Sequence, residues 1–249
     1  MYDIIKSSDG SNTVFSKEYN QHYHDIKTGA ISESLIKHVI PAIEFHKNRK
    51  SIKILDICFG LGYNTFSTIY YILKNNLDIN IDIFSPELDI DLIRSLKNFV
   101  FPKEFDNIKH IIESISNNLY YKDDKISINI DIKNAREYIK QLNNIDIVYQ
   151  DAFSYDVNKE LWSYEYFKDI YNICNKIPII TTYSISNKVR LSMYKAGFYI
   201  YEKSNIKRKY TLAFKTLQND IKSLKYINMK LKLENNRNLK IICDSHMIV

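Results

Sequence analysis

The 249-residue chain holds 35 Lys and Arg against 29 Asp and Glu, a net charge of +6, with 45% hydrophobic and 26% charged residues. That balance suits one α/β domain with a sizeable core and an appendage. No run approaches 18 uninterrupted apolar residues, which excludes a membrane-spanning helix, and MYDIIKSSDG lacks the basic head and apolar stretch of a signal peptide, so the expected location is cytoplasmic.

From the N-terminus, TVFSKEYNQHYHD reads as a short polar β-hairpin, and ISESLIKHVIPAIEF (31–45) as an amphipathic helix that Pro41 kinks or splits. Strands are predicted at 51–57, 79–85, 125–131, 145–151 and 178–184. Helices are predicted near 64–75, 89–99, 134–142, 160–174 and 187–197, the last capped by Gly197. This alternation predicts an α/β fold, a parallel sheet covered on both faces. FYIYEKS and YTLAFK, joined by NIKRK, then add a hairpin, giving the seven-stranded Rossmann-like order of class I methyltransferases that use S-adenosylmethionine (SAM). LKYINMKLKL and LKIICDS are expected as two further strands. The expected organisation is an N-terminal hairpin and helix extension (1–50), a catalytic domain (51–215) and a basic C-terminal extension (216–249).

Two of the five glycines fall in KILDICFGLGYNTF (53–66), after a strand that reaches Asp56 and before a helix opening near Asn64. In open α/β sheets ligands bind beyond the carboxyl ends of the strands, where glycines let the backbone come close. A dinucleotide fingerprint wants a third glycine where Thr65 stands, and a P-loop wants a lysine that the stretch lacks. A nucleotide-like ligand without a phosphate chain is therefore favoured, and SAM is one; a glycine turn with no ligand is the alternative. An acid at the end of the second strand is expected to hold the ribose hydroxyls. IFSPELD supplies Glu87, 25 residues beyond Gly62 against the roughly 20 common for such partners, with Asp89 as a fallback. A surface carboxylate opening a helix is the competing reading.

IDIVYQDAFSYDVNKELW places Asp151 just past the fourth strand, on the rim expected for Asp56 and Glu87. Methyl transfer from a sulfonium is an in-line displacement, so the protein chiefly aligns the nucleophile and strips its water. An alkyl amine, with a pKa of about 10 in water, must lose its proton before attacking, which gives a nearby carboxylate a task. Phe153, Tyr155 and Trp162 either wall a pocket there, stack on a base or, the favoured reading for each alone, pack in the core.

Charge is unevenly spread. Lys203 to Val249 holds eleven Lys and Arg against three acids, a local net of +8, while the first 202 residues carry about −2. A basic C-terminal face suits a polyanion such as nucleic acid; a solvated lysine-rich surface is the alternative. Cys58, Cys174 and Cys243, odd in number and in no C-x-x-C pair, read as reduced thiols. His22 and His24 share one face of a strand, but no third ligand follows at a usable spacing, so no metal is expected.

GSNTVFSKEYNQHYHDIKTGAISES, FGLGYN, YQDAFSYDVNKELW and TTYSISNKVRLSMYKAGF followed by KRKYTLAF together resemble the MnmD and MnmC methyltransferase family, in order from about position 10 to 215. The resemblance implies a SAM-dependent enzyme that converts 5-aminomethyl-(2-thio)uridine to 5-methylaminomethyl-(2-thio)uridine at the tRNA wobble position, with the anticodon stem-loop as partner. It also implies that Phe59, Gly60, Gly62 and Asn64, with Asp56, line the donor site, that Glu87 binds its ribose and that Asp151 stands beside the transferred methyl. Glu33 would help close the site.

Asn134, followed by Ala135, replaces the family's acid near the adenine. Lys207, Arg208 and Lys209 keep the charge of a basic loop without its glycines, and with Phe153 they are expected to meet tRNA. The tail from 216 is expected to extend that face. With no second glycine fingerprint, neither FAD nor an oxidase activity is expected. Two rivals stand beside this reading. One is a small-amine transferase of the polyamine aminopropyltransferase kind, which would want an acid-lined pocket without a basic rim. The other is a non-catalytic RNA-binding protein that keeps the fold but loses its glycines or rim acids.

Overall fold

In the computed structural model, which describes residues 2–204, 208–218 and 223–246, the isoleucine-rich runs form strands and the amphipathic stretches between them form helices. The chain divides into two units, Met1–Ala135 and Arg136–Val249.

The first unit opens with a small antiparallel sheet of β1 (Asp3–Lys6), β2 (Asn12–Ser16) and β3 (Gln21–His22). The β2–β3 hairpin matches expectation; β1, too short and polar to show a pattern, does not appear in the sequence reading. A continuous helical run follows: α1 (Ala30–Glu33), a π-helical stretch (Ser34–Val39) and α2 (Ile40–His46). Where Pro41 is expected to kink or split the helix, the run stays unbroken and is distorted into a π turn beside it. The π stretch, in which Ile40 N–H donates to Leu35 O five residues back, widens the ladder beside a proline that has no N–H to give.

Next come β4 (Ser51–Ile57), α3 (Tyr63–Lys74), β5 (Asn80–Glu87), α4 (Ile90–Ser95), α5 (Lys109–Asn118), β6 (Tyr120–Lys122) and β7 (Ile126–Ile132). The sheet order is β4-β5-β7-β6, parallel except for β6 on the edge. Ile52, Ile54, Leu55 and Ile57 of β4 are all fully buried, as a strand covered on both faces requires. Register sets Leu55 opposite Phe84 and Glu87 opposite Ile132, so the three parallel strands end level with one another. Phe66, Phe101 and Phe105 interlock edge-on or tilted, with centroids 5.5 to 6.0 Å apart, and cement α3 to the segment after α4.

The second unit carries α6 (Ala135–Ile139, its first residue belonging to the first unit), β8 (Ile145–Gln150), α7 (Tyr164–Ile173) and β9 (Cys174–Thr182). After them come α8 (Asn187–Ala196), β10 (Tyr199–Ser204), β11 (Lys209–Phe214), β12 (Lys225–Tyr226) and α9 (Met229–Asn235). Its strand order is β8-β9-β11-β10-β12, with β8 and β9 parallel and the others antiparallel. Gly197, at φ +117°, caps α8 as predicted. The seven expected strands are present in the two units, and β6 and β12 are short antiparallel additions.

The tail departs from expectation. LKYINMKLKL yields only the two residues of β12, because the Asn228 side chain accepts from Leu231 N (3.0 Å) and starts α9. LKIICDS forms no strand; Ile242 O accepts from Tyr164 N (2.7 Å) and Ile242 N donates to Ser192 Oγ (2.9 Å). Its backbone is satisfied by the helices it crosses rather than by a ladder. An Arg136–Asp244 ion pair (2.6 Å) holds it further. No described helix is long and apolar enough to cross a membrane.

Candidate functional site

Beyond β4 the backbone enters the left-handed region at every second residue: Cys58 (φ +63°), Gly60 (φ +54°) and Gly62 (φ +74°). Gly62 has no alternative, since a Cβ there would lie 2.5 Å from Phe66 Cε2 and 2.7 Å from Phe59 Cζ. Cys58 takes the same conformation with a side chain attached, a local strain held by its surroundings.

Those surroundings are hydrogen bonds to the end of β5. Phe59 N donates to Pro86 O (3.2 Å), and Gly60 N donates to Glu87 Oε2 (2.7 Å). Glu87 Oε1 accepts from Leu88 N (2.7 Å) and Asp89 N (3.0 Å). Burial pushes the Glu87 carboxyl above the usual carboxylate range, against the pull of these amides. Beneath the loop, the buried Asp56 accepts from Thr65 Oγ1 (2.8 Å) and Asn64 Nδ2 (3.4 Å), and its carbonyl accepts from the Ser85 hydroxyl. Asp56 thus spends its charge on the first turn of α3. Lys133 N donates to Glu87 O (3.0 Å), which sets the exposed Asn134 and the buried Ala135 beside the same strand ends.

Tyr23 is the residue that sequence reasoning missed. It follows β3, and its ring covers Gly60: a Cβ there would be 3.0 Å from Tyr23 Cδ1. Burial first, then the charges of Glu87 and Asp89, push its phenol far above the ordinary range. Tyr2 reinforces the cover by donating to Asp89 Oδ2 (2.7 Å). The available signal was the middle letter of HYH, which strand alternation turns to the face opposite the two histidines. Glu33 secures the segment after Tyr23: one carboxylate oxygen accepts from Asp25 N (2.7 Å), and the other pairs with Lys37 in a buried bridge. His24 meets Thr13 Oγ1 (3.4 Å) and the edge of Tyr63, and His22 meets Phe15, so both serve the hairpin. Among the described residues no group of three or more His, Cys, Asp or Glu is placed to hold a metal.

In the second unit, the half-buried Asp151 follows β8 on a loop braced by side chains. Gln150 Nε2 donates to Leu161 O (2.8 Å) while Tyr166 donates to Gln150 Oε1 (2.7 Å). Trp162 Nε1 donates to Phe153 O (2.7 Å), and the Tyr183 hydroxyl donates to Ala152 O (3.0 Å). Arg208 and Lys209 are exposed at the start of β11, with Lys209 3.2 Å from Glu202; Lys207 lies outside the described residues. Of the expected site residues, Asp56, Phe59, Gly60, Gly62, Asn64 and Glu87 are brought together in the first unit, and Asp151 and Phe153 share one loop of the second.

The parallel-rich strand order and the glycine bend fastened to an acid at the next strand's end define a class I methyltransferase fold. Residues 103–216 match a family described as S-adenosyl-L-methionine-dependent methyltransferase. The crystal structure of MnmC2 from Aquifex aeolicus is 32% identical, with a TM-score of 0.78 over 88% of this chain and 71% of that one. The chain belongs to the MnmC2 family of SAM-dependent methyltransferases.

The uncharacterized protein MJ0670 of Methanocaldococcus jannaschii is 28% identical over 218 residues, 85% of this chain and 59% of that protein. The tRNA 5-methylaminomethyl-2-thiouridine biosynthesis bifunctional protein MnmC of Campylobacter hominis is 27% identical over 192 residues, 74% of this chain and 28% of that protein. The chain therefore spans less than two thirds of the length of either relative.

The loop fits the family's donor. Glu87 uses three of its roughly four lone-pair sites on backbone amides, which leaves acceptor capacity for a ribose hydroxyl. Gly60 and Gly62 keep side chains out of the bend.

Proposed function

We propose that the protein transfers a methyl group from SAM to the amine of 5-aminomethyl-(2-thio)uridine at the tRNA wobble position, giving the 5-methylaminomethyl product. The observation that carries this reading is the match to MnmC2 along 88% of the chain at 32% identity, beside the fastened glycine bend of this chain. The name of the Campylobacter relative supplies the tRNA nucleoside.

When bound, the donor supplies a methyl group on a positively charged sulfur. Phe59, Gly62 and Asn64 line its bed, Glu87 accepts from its ribose hydroxyls, and Asn134 with Ala135 meets the adenine. Asp56 and Glu33 hold other parts of the bed in place rather than touching the donor, in keeping with how their carboxylates are engaged. Asp151 accepts a hydrogen bond from the acceptor amine, turns its lone pair toward the methyl and supports the ammonium that develops. Phe153 meets the base, while Lys207, Arg208, Lys209 and the basic tail draw in the anticodon stem-loop. Segment 1–50 serves as the cover of the donor site, and 216–249 as an extension of the RNA face.

Undermodified tRNA incubated with protein and SAM and then digested to nucleosides tests the reading by mass. A gain of one methyl on aminomethyluridine is expected. Methyl found only on an added polyamine would overturn the substrate.

A further inference from the structure

Within the second unit, the loops after β8 and β9 flank an open cavity of about 360 Å³. Ser154, Tyr155 and Trp162 line it from one side, and Tyr183, Ser184 and Ser186 from the other. Its walls are aromatic, yet two of the three rings have already committed their polar atoms. Trp162 Nε1 is bonded to Phe153 O and the Tyr183 hydroxyl to Ala152 O; Trp162 is fully buried and backs the wall, while the half-buried Tyr183 ring offers apolar surface to the space. Trp162 and Tyr183 also meet edge to face at 5.8 Å, which fixes that corner. Tyr155 is half-exposed, with the Lys188 ammonium 5.9 Å from its ring centroid.

The serine side is fixed from behind. Ser184 O accepts from Thr211 Oγ1 (2.6 Å), Thr211 Oγ1 accepts from Arg190 Nε (2.9 Å), and Arg190 Nη2 pairs with Glu202 Oε2 (3.0 Å). Arg190 and Glu202 are both buried, so a desolvated ion pair sets the position of this wall.

The surroundings are basic. Thr211 pairs with Thr182, so β11 begins, at Lys209, beside the end of β9 from which Ser184 to Ser186 continue. Lys232 Nζ reaches Asn187 Oδ1 (2.8 Å), next to Lys188. The cavity lining contains no carboxylate. A polyamine cation would find no counter-charge in the lining itself. A flat, neutral heterocycle on a phosphate chain matches both the walls and the rim.

We propose that this cavity takes the pyrimidine base of the acceptor nucleotide, splayed out of its stack, with one face on Tyr155 and its polar edge on the hydroxyls of Ser154, Ser184 and Ser186. Lys188 then stands where the attached phosphate arrives. The volume lies at the low end for a ligand pocket and suits a single ring, the rest of the nucleotide staying outside. Asp151 precedes Ser154 by three positions on the same braced loop, so a base held here keeps its substituent within reach of that loop. The assignment rests on the tRNA reading above.

Trp162, the chain's one tryptophan, lies buried behind the Tyr183 ring, so its fluorescence reports on the cavity through that wall. The protein is titrated with an anticodon stem-loop RNA carrying 5-aminomethyluridine, and methyl transfer to the same RNA is followed in parallel. Saturable quenching is expected for the wild type. Tyr155→Ala should raise both the quenching midpoint and KM for the RNA about 10- to 100-fold, the range that loss of one stacked base gives. Melting temperature and affinity for the demethylated donor should not move, and Tyr155→Phe should behave as wild type. RNA methylation with unchanged midpoint and KM in Tyr155→Ala overturns the cavity while leaving the substrate intact. Binding with a fluorescence change but no methyl transfer overturns the substrate reading alone, and neither signal overturns both.

Discussion

The glycine bend after β4 and the acid loop after β8 both leave the carboxyl end of a parallel strand, yet they are held by opposite means. The first is fixed by backbone: three left-handed residues, with amides bonded to Pro86 O and the Glu87 carboxylate. The second is fixed by side chains, with Gln150, Trp162 and Tyr183 each tied to a carbonyl of the loop. A backbone-built loop can mould itself closely to one ligand, and almost any added atom spoils it. A side-chain-built loop can be re-aimed by changing its braces, which suits the half of a reaction that chooses the acceptor.

That contrast can be tested by its extremes. Asp151→Asn should cost most, lowering kcat about 100- to 1,000-fold, the usual worth of one group that stabilises charge developing at the reacting atom, with donor affinity by calorimetry unchanged. An equal loss in both quantities would show that the two loops do not divide the work. Gly62→Ala should come next. The left-handed backbone and the contacts with Phe59 and Phe66 together cost about 2–4 kcal/mol, read as a lower denaturation midpoint together with weakened donor binding. If Gly62→Ala melts like wild type, the bend is more pliable than its geometry implies.

Glu202→Gln should cost about 2 kcal/mol by unpairing the buried Arg190, and it carries a pH signature. Burial alone would raise the Glu202 carboxyl, but Arg190 and Lys209 outweigh it and hold it below the usual range. A carboxyl lowered on folding contributes stability that is complete above its unfolded pKa and lost as pH falls through the folded one. The gap in melting temperature between wild type and variant should thus be full at pH 7 and shrink below about pH 4. A gap that is flat with pH would remove the ion pair from the account of how Ser184 is held.

Much of this was readable from the chain because it depends on local rules. Ile-rich runs broken by amphipathic stretches gave the parallel strands, and Gly60 and Gly62 between a strand and a helix gave the bend. An acid near the expected offset gave Glu87. What escaped was of three kinds. The tail was misread because its backbone is satisfied by Ser192 and the start of α7, partners about 50 and 80 positions away that no window spans. Tyr23 escaped because its importance lies in covering Gly60, and the alternation in HYH gives its face without naming what that face covers. The π-helical stretch escaped because a proline announces trouble without saying which relief the chain will find.

The seating of Tyr23 on Gly60, and of Tyr2 on Asp89, has a consequence for synthesis. Tyr23 and Tyr2 cannot take these seats during synthesis until Gly60 and then Asp89, 37 and 87 positions further on, have been made. Until then β1 to β3 have only one another to pair with, and the tyrosines have nothing to cover. Slowing translation ahead of codon 89 lengthens that wait without altering a single contact in the finished protein.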